Sequence, residues 1–200
     1  MARYDTIPSA IWLSSAVTNT NFLGKKLHLS ASQMAEIVAK AAAEGLTMTG
    51  LTSFTFTGNS TLVWVNNGTG SALAVPGGIL VMRSGASSKF DVEPNATNNT
   101  GTAYAKDLVV GSQLFPIPAG EYGWAVSFET GEVAPVVAGN ASATFLRVPV
   151  FAADSTAGNE NGIEVGTFGA AGLARCIIGV GLANSTAATT PYDMIPMLCS

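Results

Sequence analysis

The stretch PIPAGEYGWAVSFETGEVAPVVAG (116–139) decides the fold class. Its Pro-Ala-Gly start reads as a turn, and YGWAVSFE (122–129) reads as a strand. Tyr122 and Trp124 alternate with Gly123 and Ala125, so a period of two puts both aromatics on one side. Val126 and Phe128 continue the alternation, with Phe128 on the Trp124 side. Glu129-Thr130-Gly131-Glu132 then reads as a hairpin loop, and EVAPVVA (132–138) as the second strand. Such an aromatic face is a core face first, and in an intimate oligomer also a contact between subunits.

The same period extends outward in both directions. LTSFTFT (51–57) sets Leu51, Ser53, Thr55 and Thr57 against Thr52, Phe54 and Phe56. Beyond Gly58-Asn59, TLVWVN (61–66) reads as its return strand, and Asn67-Gly68 is a strong turn signal. Further strands are expected at GILVMRS (78–84), AKDLVV (105–110), TFLRVPVF (144–151), GIEVGTF (162–168) and LARCIIGVGL (173–182). YDMIPMLCS (192–200) adds one more, with Pro196 favouring an edge. Gly, Asn and Pro punctuate roughly every 8–15 residues, which predicts a mainly β chain, an antiparallel β-sandwich or barrel. SGASSKFDVEPNATNNTGT (84–102) reads as a long polar loop on the solvent side.

One helix stands out, ASQMAEIVAKAAAE (31–44). Ser30 is placed as its N-cap and Gln33 completes a capping box. Met34, Ile37, Val38 and Ala41 form the apolar stripe, Glu36 and Lys40 a favourable i,i+4 pair, and Gly45 the stop. Residues 1–29 keep no clean period, yet carry Ile7, Ile11, Trp12, Leu13, Phe22, Leu23 and Leu27 between turn formers. They are expected to form an extended N-terminal arm whose apolar side chains are covered by the core or by a partner. The organisation is thus an arm (1–29), a helix (30–45) and a β-rich domain (46–200).

Composition narrows the function classes. Hydrophobic residues make up 48% and charged residues 11%, less than half of the ~25% charged share of ordinary soluble domains. A surface this poor in charge fits a chain that covers itself with other chains. A net charge of −4 argues against a nucleic-acid binder. No run offers the ~20 consecutive apolar residues of a membrane helix. Asp5, Pro8, Ser14 and Ser15 interrupt what a secretory signal would need, and none is expected. The N-x-S/T sequons at Asn59, Asn67, Asn95, Asn98, Asn140 and Asn184 therefore carry no weight.

Catalytic parts are scarce. His28 is the single histidine, so any Ser-His-Asp set would have to be built around it. Cys176 and Cys199 lie in apolar runs outside any metal-ligand spacing; the default is two buried thiols, and a disulfide is the alternative if their strands are neighbours. The close acidic pairs Asp91 with Glu93 and Glu129 with Glu132 read as solvated turn carboxylates. GVGLAN (179–184) lacks the third Gly of a dinucleotide fingerprint. No catalytic residue, metal or cofactor is assigned.

The order of 116–139, followed by a strand with Arg147 and Pro149 and then by ARCIIGVGLANSTA (174–187), resembles bacteriophage capsid-decoration proteins. SALAVPGGILV (71–81) fits the same style, and the resemblance spans about residues 62–198. Gly181 and Asn184 depart from it, standing where Ala and Glu are common. The resemblance implies a virion structural protein on the capsid surface, a decoration or cement protein without an active site. Its implied partners are copies of itself, a trimer among the candidates, and the major capsid protein, with no nucleic acid and no membrane. Trp12, Phe22, Leu23, Met34, Tyr122 and Trp124 are the expected assembly contacts. The alternative is a phage fibre or head-surface adhesin module whose 84–102 loop binds a host receptor or glycan. A major capsid subunit fits less well, because shell-forming folds of tailed phages carry a long spine helix.

Overall fold

The computed structural model describes residues 23–43, 45–46, 54–95, 109–128, 132–138, 149–152, 163–164, 179–182 and 192–196. Among them are eleven strands and one helix near the N-terminus, so the mainly β expectation holds. The strands are organised around β2 (Ser60–Asn67). One edge of β2 pairs antiparallel with β6 (Tyr122–Ser127), from Leu62↔Val126 to Asn66↔Tyr122. The other edge is shared. β1 (Lys26–Leu29) takes its first half antiparallel, and β4 (Asp91–Pro94) takes its end in parallel, at Asn66↔Asp91 and Asn67↔Val92. β3 (Ile79–Met82) lies between β4 and β5 (Val109–Gln113), and β5 pairs with β6. The ring β2-β4-β3-β5-β6 closes into a five-stranded barrel. Closure removes the unpaired edges that an open sheet would present.

Side-chain alternation sets the two faces of this ring. Val63, Val65, Leu80, Val92, Val110 and Ala125, drawn from all five strands, meet in one buried cluster with Leu73 and Ile117. This is the filling of a small barrel, packed with side chains rather than hollow. Leu62, Trp64, Ile79, Val81, Trp124, Val126 and Phe128 belong to a second, larger cluster on the outside. That cluster is covered by the helix and by a second antiparallel sheet. The sheet runs in the order β7 (Ala134–Val136), β11 (Tyr192–Pro196), β10 (Gly179–Gly181), β8 (Pro149–Ala152), β9 (Ile163–Glu164). Ala134, Val136 and Met194 are its contribution to the shared core, joined by Ala138 just beyond β7.

Helix α1 (Ala31–Ala43) forms for the reasons its sequence gives. The Ser30 N–H donates to Gln33 Oε1 at 2.9 Å and the Gln33 N–H to Ser30 Oγ at 3.3 Å, a complete capping box. Gly45 adopts φ +81°. Its N–H donates to Ala42 O and the Leu46 N–H to Ala41 O, the paired bonds of a Schellman ending. Met34, Val38 and Ala41 are buried and Ile37 packs beside them, as the stripe predicts.

Several local expectations are corrected. LTSFTFT does not form the hairpin partner of β2, because β1 and β6 already occupy the two edges there. Residues 54–57 run as irregular chain, with 51–53 outside the described residues. The facing survives without the ladder: Phe56 is buried, and Phe54 meets it edge to face at 4.9 Å. The 132–138 strand does not pair back on β6 as a hairpin. β7 crosses to the second sheet and pairs with β11. The 84–102 stretch is not all solvent loop, since β4 lies within it and Val92, Glu93 and Asn95 are buried. Of the 1–29 arm, residues 26–29 are a strand of the sheet, and residues 1–22 lie outside the described residues.

Candidate assembly surface

The expected assembly contacts separate into three groups. Trp12 and Phe22 lie outside the described residues. Met34 and Trp124 are inside the chain's own core, at 0% and 8% exposure, which leaves Met34 no side-chain surface and Trp124 only a sliver for a neighbour. α1 and the barrel bring these two into one cluster. Leu23 and Tyr122 remain half-buried. They flank the same stretch of β2 from opposite edges. Tyr122 is the ladder partner of Asn66, while Gly24, next to Leu23, donates its N–H to Trp64 O at 2.8 Å.

The core behind Tyr122 is built on an aromatic pair. Trp64 and Trp124 are direct cross-strand partners, with ring centroids 4.9 Å apart at 69°. An edge-on pair of this kind adds about 0.5–1.5 kcal/mol beyond the area it buries.

Three polar clusters tie the fold together. At the start of β2, the His28 ring stands beside Thr61 Oγ1, 2.5 Å from Nδ1, and Glu132 Oε1, 3.2 Å from Nδ1. A carboxylate only accepts, so a hydrogen bond to Glu132 is made by the tautomer that carries its hydrogen on Nδ1. Both partners address the same nitrogen, whereas a nucleophile–base–acid relay uses the two ring nitrogens separately. The cluster is built as a tether between β1, β2 and the segment leading into β7. Beside it, Ser60 Oγ donates to Val133 O at 2.6 Å and the Val133 N–H donates to Asn59 O at 2.7 Å.

The second cluster corrects the reading of Asp91 and Glu93 as solvated turn carboxylates. Arg83 directs Nε (3.2 Å) and Nη2 (2.6 Å) at Asp91 Oδ2, and Asn66 Nδ2 donates to Asp91 Oδ1 at 3.3 Å. The hydrogen bond to Asp91, then the charge of Asp91, raise the Arg83 pKa above its ordinary value, which favours the charged guanidinium. Glu93 is buried and accepts the Ser84 N–H at 3.1 Å. Glu132 is likewise held by His28 rather than simply solvated. Glu129 lies outside the described residues.

The third cluster is one that the sequence reading missed. Asn67, read as a turn former, is a buried hub at the end of the barrel. Its only sequence signal is its place before Gly68, which fits a solvent-facing turn equally well. Among the described residues, no group of three or more His, Cys, Asp or Glu side chains is gathered as a metal site. No described helix is long and apolar enough to cross a membrane. Cys176 and Cys199 lie outside the described residues. No family model matches the chain, and no curated protein matches it.

Proposed function

We propose that this chain is a virion structural protein, a decoration or cement subunit that binds and stabilises the outer shell of a phage capsid. The observation that carries this reading is the order of 116–139 and ARCIIGVGLANSTA, which resembles capsid-decoration proteins. Two further features support it. The charged share of 11% fits a chain that spends its working life against other chains. The described residues form a tightly filled barrel with a second sheet packed on it, a scaffold suited to presenting surfaces. Its partners are copies of itself, as a trimer or another symmetric oligomer, and the major capsid protein. Residues 1–22, with Trp12 and Phe22, supply the anchor, and many weak contacts in parallel supply the hold.

The test mixes the purified chain with capsids that lack it and counts bound copies per particle. A variant lacking residues 1–22 is run alongside. The deletion stops there because Gly24 is already bonded to β2 and β1 begins at Lys26. Saturable binding at many copies, lost in the truncated variant, is the expected result. Absence of binding, or a few copies per particle, would overturn it in favour of an adhesin, and a glycan screen would follow. The burial of Val92, Glu93 and Asn95 leaves that alternative less of the 84–102 stretch for a receptor site.

A further inference from the structure

β2 ends on an Asn-Gly step, and packing calls for both residues. Asn67 is 0% exposed. Its Nδ2 shares two hydrogens among the carbonyl oxygens of Ser71 (2.9 Å), Ile117 (2.8 Å) and Pro118 (3.0 Å). Its Oδ1 accepts the Thr69 N–H (3.1 Å) and the Thr69 hydroxyl (2.7 Å). Its main chain is held as well, by its N–H to Glu121 O and by the Gly120 N–H to its own O. One side chain therefore joins the loop after β2 to the turn before β6. Gly68 gives its N–H to Val92 O at 3.2 Å. A Cβ there would collide with the Asp91 carboxylate and the Arg83 guanidinium.

Chemically, this is the dipeptide in which main chain most readily attacks side chain, because glycine puts no Cβ beside the attacking nitrogen. The Gly68 nitrogen loses its proton and bonds to Asn67 Cγ. The Cγ–Nδ2 bond breaks, ammonia leaves, and a succinimide ring remains. Water opens that ring to aspartate or isoaspartate. In the fold each step is opposed. The nucleophilic nitrogen is committed to Val92 O, the leaving nitrogen's hydrogens are held among three carbonyls, and the Asn67 side chain is buried.

We propose that Asn67-Gly68 is a deamidation site gated by folding: closed while the end of the barrel is intact, open when it unfolds, and irreversible in effect. The product explains the last point. A carboxylate has no hydrogen to donate, and it brings negative oxygen against three carbonyl oxygens that the amide had satisfied. A chain that converts at Asn67 cannot rebuild the barrel end, so converted chains accumulate with the time spent out of the folded state.

The experiment holds the full-length chain at mildly alkaline pH in buffer and, in parallel, in urea. Peptide mapping by mass spectrometry follows amide-to-acid conversion at Asn67. The chain's other Asn-Gly step, Asn161-Gly162, reports in urea that the chemistry is running. Conversion at Asn67 is expected to be at least about tenfold slower in buffer than in urea, because it must wait for local opening. Equal rates would overturn the gate. Chains converted in urea are then diluted into buffer. The converted form is expected to be absent from the protease-resistant fraction, and its full recovery there would overturn the irreversibility. Gly68→Ala, measured only in urea where folding is irrelevant, is expected to slow conversion several-fold. An unchanged rate would overturn the succinimide route.

Discussion

Across the β2–β6 ladder, Trp64 faces Trp124 on the outer side, and one residue along Val63 faces Ala125 on the inner side. The same two strands, in the same register, thus carry the largest and some of the smallest side chains of the core. Closure of the ring accounts for the difference. Five strands enclose a fixed small volume, which aliphatic side chains such as Val63, Val65 and Ala125 fill. The outer face is not confined by the ring and meets separate layers, α1 and the second sheet, and there it carries the paired rings of Trp64 and Trp124. Volume removed and volume added should therefore act differently on the two sides.

Trp124→Ala gives the largest expected effect, about 3–5 kcal/mol of destabilisation, from lost burial and an incompletely collapsed cavity. Urea unfolding followed by circular dichroism measures it. A loss below about 1 kcal/mol would mean that the outer layers do not pack on the barrel as one core. Ala125→Leu tests the inner side by the opposite change. Added methyl groups cannot be absorbed by a closed ring, and a cost of about 1–3 kcal/mol is expected. If it proved neutral, the interior would hold spare volume, and the contrast between the two faces would fail.

How much of this was legible in the sequence follows the same division. Alternation in YGWAVSFE gave the facing of the core residues in β6, because period two is a property of the backbone alone, while TLVWVN, apolar on both faces, gave a strand without its facing. Alternation could not give pairing. Phe54 and Phe56 keep their alternate facing in a segment that joins no ladder, since β1 reaches that edge of β2 first. β4 was hidden for another reason. Asp-Val-Glu-Pro has poor strand propensity, and it is held by side-chain bonds, Arg83 to Asp91 and the Ser84 N–H to Glu93, which are not local in sequence. Of the assembly candidates, the alternation identified Trp124 as a core residue. Whether such a face meets the chain itself or a neighbour depends on layers that no local pattern encodes.

The helix offers the finest version of the comparison, between polar groups that satisfy backbone and polar groups that satisfy each other. Ser30 Oγ accepts the N–H of Gln33, a group that has no partner within the helix. Ser30→Ala is expected to cost about 1 kcal/mol, the usual loss of an N-cap, and to lower Tm by about 2–4 °C for a chain of this size. Gln33 Oε1 would still accept the Ser30 N–H, so half of the box survives. The Glu36–Lys40 pair is shorter, 2.9 Å, yet its side chains are 64% and 72% exposed. Water already satisfies both charges, and ordering two long side chains offsets most of the attraction. Glu36→Gln should therefore change stability by no more than about 0.5 kcal/mol, and that change should vanish in high salt. A larger, salt-resistant loss at Glu36 would show that this face of the helix is covered in solution, the condition expected of a subunit that packs against its neighbours.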